Sequence, residues 1–101
     1  MTAAVFIPAP ADYDRRMALV LLRAPLSELA GGREHAVESS TVQEALVALE
    51  RLCPAIAGWV LDERRAIRAH VNVYVNGQLA RGDTEVGDGD RIQVLPAITG
   101  G

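Results

Sequence analysis

The sequence predicts a single α+β domain in which one helix lies across one face of a small mixed sheet. A segment beginning at Thr41 has the capping pattern and the apolar spacing of an amphipathic helix, and strand-like segments precede and follow it. A chain of 101 residues is long enough to bury one core. Because a helix packed on a sheet buries the apolar side of both, these elements predict one two-layer domain.

The first strand-like segments predict a hairpin. Residues 19–23 form a largely apolar run, and Pro25 marks the edge or the end of that strand. The pair Gly31-Gly32 then predicts a turn before a return strand at residues 35–38.

The helix is predicted to begin at Thr41, because Thr41 and Glu44 have the spacing of a capping box. The apolar residues that follow recur at spacings of three and four. They define one stripe: Val42, Ala45, Leu46, Leu49, Leu52 and Cys53. Pro54 is expected to end the helix, and Trp59 is expected to cover the bottom of the core.

The closing half of the chain predicts three more strands. Residues 70–75 alternate strictly between valine and other residues, as in a half-buried strand. Asn76-Gly77 favours a type I′ turn, because both residues tolerate positive φ, and residues 78–80 form the short return strand.

The final strand covers residues 91–95, with Ile92 and Val94 inward and Leu95 on the opposite face. The helix supplies the crossover that lets the first and last strands pair in parallel. This combination predicts a β-grasp layout whose sheet edge delivers the C-terminal tail to solvent.

The composition excludes several classes of function. A net charge of −3 and a pI near 5.3 argue against nucleic acid, which requires a basic surface. Cys53 is the single cysteine, and His35 and His70 lack metal-ligand spacing, so neither a disulfide nor a metal site is predicted. The apolar run that ends at Arg23 is too short for a signal peptide, so we expect a cytoplasmic protein without membrane association.

The last residues, Gly100-Gly101, are predicted to be a chemical handle or, alternatively, an ordinary frayed end. Glycine carries no Cβ, so such a tail enters a channel too narrow for other residues and presents an unhindered carboxylate. The chain contains no lysine, so its own side chains cannot serve in building isopeptide chains. Four acidic residues are expected near the same end, either steering a basic partner or forming a solvated turn: Asp83, Glu85, Asp88 and Asp90.

Four segments together resemble one known family. Residues 26–34, 41–46, 71–76 and 88–101 are similar to the small β-grasp sulfur carriers that are related to ubiquitin. This family includes the small subunit of molybdopterin synthase and the thiamin sulfur carrier. The last two segments resemble most closely the actinobacterial carrier that serves cysteine synthesis.

The resemblance implies a ubiquitin-like domain at residues 17–98 and a tail at residues 99–101. Residues 1–16 have no counterpart in the family pattern and are predicted to form an N-terminal extension, loose or with one short added strand. The resemblance also implies that an E1-like enzyme, using ATP and magnesium, adenylates the Gly101 carboxylate and that a sulfur donor converts it to a thiocarboxylate. A sulfur-accepting synthase is the second expected partner. The chain itself is expected to be neither an enzyme nor the holder of a cofactor.

Within this scheme each site residue has a distinct role. Gly101 carries the activated group, and Gly100 and Thr99 thread into the partner enzyme. Four residues are expected to form the apolar docking surface: Leu79, Leu95, Pro96 and Ile98.

Two alternatives stay open. One is a ubiquitin-like modifier that is joined through Gly101 to lysines of other proteins. The other is the small subunit of a two-subunit molybdopterin synthase. The acceptor could be cysteine, molybdopterin, thiazole or a secondary metabolite, and the sequence does not choose among them.

Overall fold

The computed structural model describes residues 17–96, which form a five-stranded mixed sheet crossed on one face by a helix. The predicted α+β, ubiquitin-like β-grasp fold is therefore confirmed. The elements are β1 (Met17–Leu22), α1 (Leu26–Leu29), β2 (Glu34–Glu38), α2 (Val42–Leu52), a 3₁₀ helix (Pro54–Ile56), β3 (Val71–Val75), β4 (Gln78–Ala80) and β5 (Arg91–Pro96).

The strands lie in the order β2-β1-β5-β3-β4, so β5 is central. As predicted, β1 and β5 pair in parallel, with Leu22 opposite Val94. The other three pairings are antiparallel. Because β5 lies between two neighbours, the chain that follows it leaves from the middle of the sheet and not from its edge.

The first hairpin contains an element that the sequence analysis missed. Strand β1 ends at Leu22, before Pro25, and the connection then forms the short helix α1. The side chain of Leu26 is buried there, which anchors the connection to the core. The sequence shows two leucines three residues apart, at the ends of α1. A segment of four residues is too short for a helix to be recognised from its periodicity.

Helix α2 begins as the capping box predicts. The N–H of Glu44 donates to the Thr41 hydroxyl at 3.1 Å, and the Glu44 carboxylate accepts from the N–H of Ser40 at 2.9 Å. Four stripe residues are buried: Val42, Ala45, Leu46 and Leu49. The prediction for Leu52 is wrong, because its side chain lies at the border of the stripe on the last turn and is 63% exposed.

The residues after Pro54 that fill the core are not the one that was expected. Ile56, Val60 and Leu61 are buried, whereas Trp59 is 47% exposed. Gly58 has φ +88, and this turn directs the neighbouring Trp59 outward, so the expectation that it covers the core is wrong. No helix within residues 17–96 is long and apolar enough to cross a bilayer.

The closing half follows the predicted pattern. Asn76 and Gly77 have φ values of 51° and 88°, as the type I′ turn requires. Ile92 and Val94 are fully buried under α2, while Leu95 lies on the other face and is half-buried. The alternation of β5 therefore separates an inner face from an open one.

Candidate functional site: the open face and the exit end

The end of the sheet at which β5 finishes is the place from which the tail departs. We call this the exit end, and it is defined by Leu22, Glu34, Val71 and Pro96. The register places these residues at the same end because Leu22 pairs with Val94, Leu21 with Glu34, and Val71 with Pro96.

The face of the sheet opposite α2, which we call the open face, carries an apolar set. Register shows that Leu21, Gln93 and Tyr74 lie side by side, with Leu79 beyond Tyr74. Leu79 is 69% exposed, the largest exposure among the described large apolar side chains. The open-face apolar residues are Met17, Leu19, Leu21, Tyr74, Leu79 and Leu95.

Two of the four predicted docking residues share this face. Leu95 and Leu79 are separated by two strand spacings, about 10 Å, and by two residues along the strands, about 7 Å. Pro96 pairs with the buried Val71, so its side chain belongs to the inner face and does not join them.

The remaining predicted residues lie outside the described part of the chain. They are Ile98, Thr99, Gly100 and Gly101, together with the predicted extension at residues 1–16. Their roles stay predictions.

A cleft of about 570 Å³ opens at the exit end of the open face. Leu21, Leu95 and Gln93 line it from the sheet, and the connection between β1 and β2 contributes Arg23 and Arg33. Both arginines are exposed, and neither forms an ion pair with any residue of the described range 17–96. Glu34 and Ser27 also line the cleft.

No sequence pattern identifies these arginines as site residues. In the sequence, Arg23 ends an apolar run, and Arg33 follows the turn at Gly31-Gly32. The sequence does place the two arginines at the two ends of the connection between β1 and β2, which indicates that they lie close together. The backbone confirms that closeness, because the N–H of Leu22 donates to the Arg33 carbonyl at 2.8 Å.

A second, shallower depression lies on the other side of the exit, where β3 begins. Trp59, Arg68 and His70 line it, and the Arg68 side chain donates through Nε to the Gly58 carbonyl at 2.7 Å. This bond holds the guanidinium beside the exposed indole of Trp59.

Two of the four acidic residues, Asp88 and Asp90, lie at the other end of the sheet, so the expectation that they lie near the tail is wrong. Asp88 accepts from the N–H of Met17 at 3.2 Å, and the Asp90 carbonyl accepts from Leu19 at 2.8 Å. Met17 starts β1, whereas the tail follows the end of β5, and these strands are parallel. The acidic turn therefore helps to fix the start of β1 and is remote from the exit.

One carboxyl group has a displaced pKa. Asp62 accepts hydrogen bonds from the N–H of Ala66 at 3.0 Å and of Arg64 at 2.8 Å. These bonds lower the pKa of Asp62 below its ordinary value, and the bond from Ala66 has the larger effect. Their role is local, since they close the turn that follows the buried Leu61. Among residues 17–96, no group of three or more His, Cys, Asp or Glu side chains is placed to hold a metal ion.

The fold corresponds to that of known small proteins. Small archaeal modifier protein 1 of Haloferax volcanii is 34% identical over 83 residues, 79% of this chain and 95% of that protein. Its crystal structure has a TM-score of 0.77 at 32% identity and covers 84% of this chain and 99% of that one.

Two further solved structures are similar. CysO of Amycolatopsis orientalis, crystallised in a complex with BexX, has a TM-score of 0.74 at 28% identity, with 83% of this chain and 99% of that one covered. A Pyrococcus furiosus protein described as a molybdopterin converting factor subunit 1 has a TM-score of 0.68 at 26% identity, with 82% and 99% covered.

These features define a ubiquitin-like β-grasp protein of the sulfur carrier and modifier class. The model of the ThiS family matches residues 20–101, which is most of the chain. The chain therefore belongs to the ThiS family.

Proposed function

We propose that this chain is a sulfur carrier whose Gly101 carboxylate is the reacting group. An E1-like enzyme would bind ATP and magnesium, and the carboxylate would attack the α-phosphate of ATP and release pyrophosphate. A sulfur nucleophile would then displace AMP from the acyl-adenylate and leave a thiocarboxylate. Adenylation is needed because a carboxylate is a poor electrophile, and the thiocarboxylate sulfur is a better nucleophile than the oxygen it replaces.

One observation carries this proposal: the family match continues through residue 101, beyond the end of the central strand at Pro96. Residues 97–101 follow the central strand β5, whose last residues, Leu95 and Pro96, are held in place by pairing with β3. Five residues span at most about 17 Å. An enzyme can therefore act on Gly101 while the domain remains outside its active site.

The chain is proposed to be a substrate and not a catalyst. Its binding role falls to Leu79 and Leu95, which present apolar surface on the open face that no other element of residues 17–96 covers. Residues 99–101 would enter the partner, with Gly100 and Thr99 leading to the reacting carboxylate. A sulfur-accepting synthase would use the same face after activation, and we place both events in the cytoplasm.

Intact mass measurement tests the proposal. The purified chain is incubated with its activating enzyme, ATP, magnesium and a sulfide source, and we expect the mass to rise by the difference between sulfur and oxygen. Gly100→Val is the matched variant, because a β-branched residue beside the reacting group blocks a narrow channel while the body of the domain is unchanged. No mass change in the wild-type chain, with an enzyme shown to be active, would contradict the proposal.

The second candidate is a protein modifier, and the similarity to small archaeal modifier protein 1 favours it. In that case Gly101 would form an isopeptide bond with lysines of other proteins. Mass spectrometry of peptides from cells would detect a Thr-Gly-Gly remnant on lysine. Its absence under both sulfur starvation and oxidative stress would count against this function.

The similarity to a converting factor subunit supports a third arrangement, in which the chain is the small subunit of a synthase. Copurification with a larger catalytic subunit in stable stoichiometry would support it. A free carrier, by contrast, would elute alone and bind its acceptor transiently.

A further inference from the structure

The cleft at the exit end is the most distinctive polar feature of the open face. Arg23 and Arg33 bring two guanidinium groups to it, and among residues 17–96 the one acidic residue that lines it is Glu34. The floor is apolar, formed by Leu21 and Leu95. Two cations with no ion-pair partner inside the described range, beside an apolar floor, form a surface suited to a carboxylate.

The length of the tail determines what must cover this cleft. Any enzyme that reacts with Gly101 has its active site within about 17 Å of Pro96, because five extended residues reach no further. Leu95, directly before Pro96, lines the cleft. The body of such an enzyme therefore lies over or beside the cleft whenever the tail is engaged.

Covering the cleft removes water from the two arginines. A guanidinium that loses its hydration without gaining an acceptor weakens binding, so a partner that binds here must supply oxygen ligands. Carboxylates fit best, since guanidinium groups bind them through paired hydrogen bonds.

We propose that Arg23 and Arg33 bind acidic side chains of the activating enzyme and thereby select it. This inference rests on the proposed function, because it requires an enzyme that takes up the tail. It also reverses the electrostatic expectation from the sequence. The proposed contact region carries two arginines, whereas Asp88 and Asp90 lie at the other end of the sheet.

The test compares arginine variants in the full chain. Arg23→Gln, Arg33→Gln and the double variant remove positive charge but retain side chains that can form hydrogen bonds. Arg91→Gln is the matched control, because Arg91 is an exposed arginine on the same open face but at the start of β5. The thermal unfolding temperature of all four variants should equal that of the wild type, because each change is at an exposed position.

The readout is pyrophosphate release by the activating enzyme as a function of carrier concentration, with ATP, magnesium and a sulfide source present so that the enzyme turns over. We expect the double variant to raise KM for the chain roughly tenfold or more with kcat unchanged, and each single variant to have a smaller effect. The KM of the wild type should also rise steeply with salt concentration, and that dependence should become shallower in the double variant. Arg91→Gln should behave as the wild type.

The outcomes separate the two proposals. If the wild-type chain is saturably adenylated and the double variant has the same KM, the arginines do not select the enzyme and the inference is wrong. A KM that falls in the double variant, or that changes equally in Arg91→Gln, would also overturn it. If the wild-type chain is not adenylated at all by an enzyme active on another carrier, the proposed function itself fails.

Discussion

The two faces of the sheet show how one set of strands serves two purposes. On the inner face, Val20, Val73 and Val94 lie beneath α2 and are at most 1% exposed. On the open face, the neighbouring positions carry Leu21, Tyr74 and other side chains that remain half-buried or exposed. Both faces contain apolar residues, but within residues 17–96 only the inner face has a helix packed against it.

This difference separates stability from recognition. Apolar groups on the inner face contribute free energy of folding because they leave water when the domain forms. Those on the open face lose contact with water only when another protein binds. Mutations at the two faces should therefore change different measurements, and a set of single substitutions can test whether the separation is real.

The largest expected effect is on the inner face. Leu46→Ala removes a side chain that is 1% exposed in the middle of α2, and it leaves a cavity in the core. We expect the free energy of unfolding to fall by about 2–5 kcal/mol. Chemical denaturation followed by circular dichroism measures this. A loss below about 1 kcal/mol would show that α2 does not form a tightly packed cover.

A smaller effect is expected at the start of the same helix. Thr41→Ala removes the hydroxyl that accepts from the Glu44 N–H at 3.1 Å, and should lower the free energy of unfolding by about 1 kcal/mol. Thr41→Ser is the control, because serine retains the hydroxyl acceptor and should lower the free energy of unfolding only slightly. If serine and alanine destabilise the chain equally, the hydroxyl is not the stabilising group.

Structural features that depend only on residues close together in the chain were predictable from the sequence. The capping pair at Thr41 and the turn at Asn76-Gly77 depend on backbone geometry within four residues, and both are where the sequence places them. The alternation of β5 also identified the inner and open faces correctly, because side chains on a strand point alternately to its two sides.

Features that depend on strand order were not predictable. The position of β5 in the centre of the sheet follows from its pairing with both β1 and β3. The pairing of β1 with β2 brings Arg23 and Arg33 to one cleft. No local pattern distinguishes these arginines from other arginines in turns.

A pH-dependent effect is expected in the turn beside the inner face. The pKa of Asp62 is lowered by the N–H groups of Ala66 and Arg64, so the ionised form stabilises the folded chain. This contribution is complete above the pKa of Asp62 in the unfolded chain and is lost as the pH falls through the lower folded value. In Asp62→Asn, that component of acid destabilisation should disappear, which denaturation across the acidic pH range would reveal. An unchanged pH profile would mean that the hydrogen bonds do not favour the charged form.

The smallest expected change in stability is on the open face, and it completes the comparison. Leu79→Ser alters a side chain that is 69% exposed on the edge strand β4, so the free energy of unfolding should change by no more than about 0.5 kcal/mol. The same substitution should weaken binding to the activating enzyme, measured by titration of the two proteins, because it removes apolar area from the docking surface. Leu52→Ser is the matched control: Leu52 is 63% exposed on α2, on the other side of the domain. Equal binding by both variants would show that exposure alone does not identify a docking residue, and that the open face is not the surface the partner uses.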